Sequence, residues 1–445
     1  MNILRHIRAV LGLVFFLLPA TTVYAQSGPQ IIEVKSPGGI TAWLVEDHAV
    51  PVIAMKFLIK GGGALDPAGK KGLANLVSGL LDEGAGSYDS LAFQTKLEDL
   101  AISLSFGASR DSFRGNLKTL TRHRDEAFEL MRLALSEPRF DEEPVERIRR
   151  QIITGLIRSQ EDPDRIASQA WFAAAFPNHP YGQPPRGTIE SVKAITIADL
   201  KSFVGERLNR ESLIVGVVGD IRPEELRRLL DKTFLHLPAK ANGFQVPAID
   251  MQGAGKTEVI RKKNPQSRMI FGINGLKRSD PDWYAAYVLN YIVGGGSFSS
   301  RLYDEVREQR GLAYSVYTYL HGFDQTSMLM GGVGTVNARL PETLTVIHDV
   351  MRDVRDNGVK ESELKDAKTY INGSFPLNLT SSSRIAGLLI AMQRHKLSID
   401  YIAKRSDFIN KVTLADLDRV AKRLLQPENL LTVVVGDPPP LEAKK

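Results

Sequence analysis

Residues 196–220, TIADLKSFVGERLNRESLIVGVVGD, return as residues 413–437, TLADLDRVAKRLLQPENLLTVVVGD, at an offset of 217 with no gap. Both segments open on Thr-x-Ala-Asp-Leu and close on Val-Val-Gly-Asp. A threonine that caps a helix, followed by an apolar strand ending in Gly-Asp, makes one supersecondary unit. A repeat separated by this distance implies two copies of one domain, because solenoid units are much shorter. A chain of 445 residues has room for both copies.

Around the first copy of the segment, 31–35 and 41–46 read as strands of a hairpin turned at Pro37-Gly38-Gly39. Segment 52–59 reads as a buried strand, and 102–108 with 112–117 as a second hairpin. Helical periodicity marks 90–100 and 122–135, the latter stopped by Glu137-Pro138. A long helix starts near Glu142, with Val145, Ile148, Ile152 and Leu156 along one stripe. Thr196 caps a helix to Leu208, 213–218 is an apolar strand, and Pro223 opens a further helix. Residues 238–255, with Pro238, Asn242-Gly243, Pro247 and Gly253, read as a linker between domains at 26–237 and 256–440. The predicted class is α+β: two homologous domains, each a mainly antiparallel sheet with helices on one face.

Hydrophobic content of 43% and charged content of 24% are those of a globular chain with a large core. Residues 1–25 have the form of a secretory signal: Arg5 and Arg8, a short apolar run over 9–18, Pro19, then Val23-Tyr24-Ala25 as a cleavage site. Cleavage would remove two of 57 basic residues and none of the 51 acidic ones, lowering the net charge from +6 to +4. No Lys/Arg block marks a nucleic-acid surface, and no later stretch is long and apolar enough to span a membrane. An exported chain without cysteine fits a bacterial periplasm.

The chemistry hangs on residues 61–86, GGGALDPAGKKGLANLVSGLLDEGAG. A glycine-rich entry leads to a short apolar helix and an acidic, glycine-closed exit. Its centre, 72–80, resembles the first catalytic helix of the M16 (pitrilysin/insulinase, mitochondrial processing peptidase) metallopeptidases. In active members that helix carries His-x-x-Glu-His, two imidazoles one turn apart on a zinc ion and a carboxylate as general base. The matching positions here are Asn75, Ser78 and Gly79: a poor ligand, no base at neutral pH, and no side chain. The family's third ligand, a glutamate, falls 77 positions after Gly79, at Leu156, which belongs to the core stripe. The resemblance spans nearly the whole mature chain, including His179-Pro180-Tyr181-Gly182, and implies two domains facing each other as half a clam shell. His179, a lone histidine among prolines, reads as structural.

A second motif lies at 301–319, RLYDEVREQRGLAYSVYTY. It resembles the family's arginine/tyrosine pair, which in active members helps hold substrate from the C-terminal domain. The matching residues are Arg307 and Tyr314, and here the pattern is intact. A helix over 302–309 reversing at Gly311 into a strand over 313–320 would set the two side by side. A guanidinium and a phenol both suit a peptide carbonyl or its oxyanion. The plainer reading is a surface arginine and a core tyrosine. Gly294-Gly295-Gly296 lacks the Gly-Lys-Ser/Thr ending of a phosphate loop and reads as a hinge or a short substrate-guiding loop.

What the resemblance implies is a non-catalytic subunit of an M16 heterodimer. It carries no metal itself, and its partner bears the intact His-x-x-Glu-His motif and zinc. Arg307 and Tyr314 grip an extended peptide. The competing implication is a scaffold, as in the mitochondrial core proteins that resemble this family, with the pair a remnant. The eight histidines include no close pair, which speaks against a self-contained metal site.

Overall fold

A computed structural model describes residues 28–240, 243 and 245–441. The expected leader, 1–25, and Asn242 of the expected linker lie outside them. The first sheet is built from β1 (Ile32–Lys35), β2 (Thr41–Glu46), β3 (Val52–Lys60), β4 (Ser103–Ala108), β5 (Ser112–Leu120) and β6 (Leu213–Gly219). The second has β7 (Thr257–Arg261), β8 (Gln266–Asn274), β9 (Ala313–Gly322), β10 (Ser327–Val336) and β11 (Leu431–Gly436). Strand orders are β1-β2-β6-β3-β5-β4 and β7-β11-β8-β10-β9. Each sheet is antiparallel save for one pair, β2 with β6 and β7 with β11. This is the expected α+β, two-domain architecture.

The repeated segments occupy equivalent places. β6 and β11 each lie parallel to one neighbour and antiparallel to the other. Thr196 and Thr413 cap the helices Ile197–Arg207 and Leu414–Leu424, and Asp199 and Asp416 return the bond, accepting from the threonine amides at 2.8 and 2.9 Å. Gly219 ends β6 at φ 136°, where a Cβ would sit 2.0 Å from the Val52 carbonyl, so no other residue fits. Alternation along β3 sends Ile53, Met55, Phe57 and Ile59 into the first core, where Phe128, Phe203 and Phe234 of three helices meet them.

The opposite face of each sheet is closed by a helix from the other half. The Pro163–Ala175 helix lies on β8 and β11, its Trp171 indole donating to the Leu431 carbonyl at 3.0 Å. The Ser382–Arg394 helix lies on β3 and β6, and Gln393 donates to the Val215 carbonyl at 2.9 Å. Both approaches need glycine: a Cβ on Gly272 would meet the Trp171 ring at 2.6 Å, and one on Gly216 the Ala386 carbonyl at 2.9 Å. A polar latch completes the exchange. Asp111 accepts from the Tyr181 hydroxyl at 2.6 Å, the Asp324 amide at 2.9 Å and Arg394 at 3.3 Å. His179 is structural here, accepting from the Tyr181 amide and lying 3.1 Å from the Pro247 carbonyl.

Two helices of the second half run into π-turns. The helix from Trp283 stops at Asn290 and continues as a π-turn, Tyr291–Gly295. It passes so close to β9 that a Cβ on Gly294 would lie 2.5 Å from the Thr318 hydroxyl. The helix expected at 302–309 is one α-turn, Arg301–Tyr303, then a π-turn, Asp304–Glu308.

Candidate functional site

The glycine-rich entry at 61–72 folds around one buried carboxylate. Asp66, 3% exposed, accepts from the amides of Gly72 (3.0 Å) and Ala74 (3.2 Å), which open the Leu73–Ser78 helix. Those amides have no partner inside the helix, and a carboxylate there also opposes the helix dipole. Arg207, from the repeated segment, binds Asp66 at 2.9 Å and donates to the carbonyls of Gly61 and Gly62. Burial holds the Asp66 carboxyl above its ordinary value, with Arg207 and the two amides opposing. Gly72 sits at φ 95°, and a Cβ on Gly62 would collide with the Ser109 carbonyl at 2.0 Å. The frame is thus a capping and packing device that needs no metal to be held.

Within that frame the positions that the resemblance matches to three zinc ligands, Asn75, Gly79 and Leu156, and to the general base, Ser78, carry nothing that suits those roles. Asn75 is half-buried. Ser78 is buried, and its hydroxyl is spent on the Asn75 carbonyl at 2.8 Å. Gly79 ends the helix after six residues, and a Cβ there would press on Ile148 at 3.2 Å. Leu156, half-buried, packs against the first core from the Glu142–Ser159 helix. An amide, a bonded hydroxyl, a bare backbone and a hydrocarbon make no zinc donor set. Among the described residues no three His, Asp or Glu side chains converge elsewhere.

Arg307 and Tyr314 do come together. The π-turn closes with the Gln309 amide on the Asp304 carbonyl at 2.9 Å, and the chain reverses at Gly311, φ 58°. The Arg307 guanidinium then lies 4.6 Å from the Tyr314 ring centroid and 4.9 Å from that of Tyr303, whose hydroxyl it also hydrogen-bonds. The strict alternation expected along 313–320 is broken. Val333 pairs with Val316 but Thr335 with Ala313, so β9 carries one extra residue. That bulge leaves both Tyr314 and Ser315 exposed and re-aims the tyrosine towards Arg307. Tyr314 is 81% exposed, and Phe298, 74% exposed, flanks the guanidinium at 5.8 Å. β9 is the last strand of its sheet, so its outer edge is open among the described residues.

The sequence reading missed Asp66, Arg207, Tyr303 and Phe298. Asp66 had a signal, an acid shortly before a helix start. Tyr303 had another, its position one turn before Arg307.

Known proteins place this geometry. The insulinase (peptidase family M16) model matches residues 42–189, and the model described as the peptidase M16 inactive domain matches 194–371. A Helicobacter pylori protein named "Non-peptidase homolog YmxG" is 28% identical over 76% of this chain and 79% of its own length. A Bacillus subtilis protein named "Uncharacterized zinc protease YmxG" is 23% identical over 89% of this chain and 96% of its own. The crystal structure of a peptidase M16 inactive domain from Pseudomonas fluorescens superposes with a TM-score of 0.86 at 25% identity, covering 93% of this chain and all of that one. A chain of complex III2 from Candida albicans shares the fold at 14% identity and a TM-score of 0.77. With the zinc donors replaced and the fold intact, the chain belongs to the M16 peptidase family as a non-catalytic member.

Proposed function

We propose that this chain is the substrate-gripping half of an exported M16 heterodimer working in the periplasm. The partner supplies the His-x-x-Glu-His motif, the zinc and the general base. This chain supplies the second wall of the chamber and the Arg307–Tyr314 corner. The observation that carries the reading is that corner: a guanidinium stacked on an exposed phenol beside an open strand edge, in a chain whose own zinc positions hold no donors. An extended peptide added along β9 would take main-chain hydrogen bonds from the edge, with little sequence preference. Its next carbonyl would meet the unspent N–H groups of Arg307 and the Tyr314 hydroxyl.

The test is the double substitution Arg307→Ala with Tyr314→Phe in the co-purified pair. Peptide cleavage should fall at least about tenfold in kcat/KM while the pair still assembles and its zinc content stays the same. An unchanged rate would make the corner a remnant and this chain a scaffold. Failure to co-purify with any zinc-bearing M16 chain would overturn the heterodimer itself.

A further inference from the structure

A cavity of about 470 Å³ opens among the helices of the second half, remote in sequence from Arg307 and Tyr314. Trp283, Tyr287, Phe375 and Tyr401 wall it, and Arg384 and Arg405 reach it; among the described residues no carboxylate lines it. Arg405 is only 8% exposed, yet among the described residues its one hydrogen-bond acceptor is the Ile371 carbonyl at 3.4 Å, and it lies 4.3 Å from the Phe375 ring centroid. Arg384 donates to the Leu377 carbonyl and the Thr380 hydroxyl. Behind the wall, Arg278 stacks on Trp283 at 3.7 Å and donates to the hydroxyls of Tyr284 and Tyr401. Among the described residues none of these three arginines has a carboxylate within 4.0 Å, although most arginines there do.

Burying a guanidinium without an anion is costly, and its five N–H donors fit a carboxylate edge on. Ring walls favour a flat apolar body, and the volume falls in the range of small-ligand pockets, about 300–1,000 Å³. We infer that this cavity is a binding site for an aromatic carboxylate, its ring between the aromatic walls and its carboxylate on Arg405 and Arg384. A free aromatic acid and the C-terminal residue of a peptide ending in Phe, Tyr or Trp present the same group. This goes beyond the Arg307–Tyr314 reading and does not depend on it.

Trp283 in the wall supplies a fluorescence signal. Titration of the full chain with N-acetylphenylalanine should give saturable quenching, and N-acetylphenylalaninamide, which lacks the charge, should bind at least about tenfold more weakly. Arg405→Gln should weaken the acid by a similar factor. Arg384→Gln, at an exposed position where folding is not at risk, should weaken it several-fold and leave the amide unchanged. A pentapeptide with a free C-terminal phenylalanine separates the two sources. Binding of both ligands makes the site a chain-end receptor, and binding of the acid alone makes it a small-molecule site. Equal affinity for acid and amide, or no saturable quenching by the acid, overturns the inference.

Discussion

At the first helix a backbone frame surrounds side chains that make no zinc donor set; at the 301–314 corner the side chains themselves are assembled. The two regions answer to different constraints. The frame at 61–79 is held by folding. Asp66 caps the helix and Arg207 ties it to the repeated segment, and Gly62 and Gly72 stand where a Cβ would collide with backbone. Asn75 and Ser78 lie outside that device, while Gly79 faces Ile148, on which a Cβ would press at 3.2 Å. Tyr314 is the reverse case. At 81% exposed it adds little to stability, yet a β-bulge and a π-turn aim it at Arg307. A local irregularity on both sides of one contact is what a site looks like when geometry matters more than packing.

The largest break in this comparison comes from Asp66→Ala. It strands Arg207, whose side chain is 11% exposed and whose Nε already lacks a partner, and it uncaps the helix. The expected loss is about 3–5 kcal/mol, read from the urea midpoint. Asp66→Asn, which keeps one acceptor oxygen, should lose less. A near-neutral Asp66→Ala would mean that the frame is not held by its cap.

A smaller effect sharpens the acidic exit of the same stretch. Burial raises the Asp82 pKa to about 6, with Glu83 adding to the shift. A carboxyl whose folded pKa lies above its unfolded value binds a proton more tightly when folded. Stability attributable to Asp82 is therefore fully present below about pH 4 and is lost as pH rises towards 6. Asp82→Asn should remove that slope and stabilise the chain at pH 7 by about 1–2 kcal/mol after allowance for partial exposure, with no gain at pH 4. Urea titrations at the two pH values check it. A variant that stays parallel to the parent across that range would show Asp82 to be solvated.

Much of this was legible in the chain. The 196–220 and 413–437 repeat gives two domains, and its Thr/Asp pairs form capping boxes in both copies. Arg307 and Tyr314 were found because a helix, a glycine and a strand at short spacing leave few ways to turn. The crossing helices were not legible. Trp171 and Gln393 sit in ordinary amphipathic patterns, and nothing local says that their apolar sides belong to the other domain's sheet. The π-turn and the bulge were hidden too, since each inserts a single residue without altering composition. Arg405 went unseen because an arginine in a helix reads as surface until its burial is known.

The smallest expected effects are the most diagnostic. Asn75→Ala and Ser78→Ala should each change stability by no more than about 0.5 kcal/mol, since Ser78 bonds only its own turn and Asn75 lies outside the Asp66 cap. Arg307→Ala with Tyr314→Phe should cost at most about 1 kcal/mol, the scale of an exposed cation–π contact. Thermal melts of the three variants would then nearly coincide with the parent, while only the last slows cleavage by the assembled pair. If the Arg307/Tyr314 variant melts well below the other two, the corner is a folding element like Asp66. The contrast between a frame held by folding and a pair held for substrate would then dissolve.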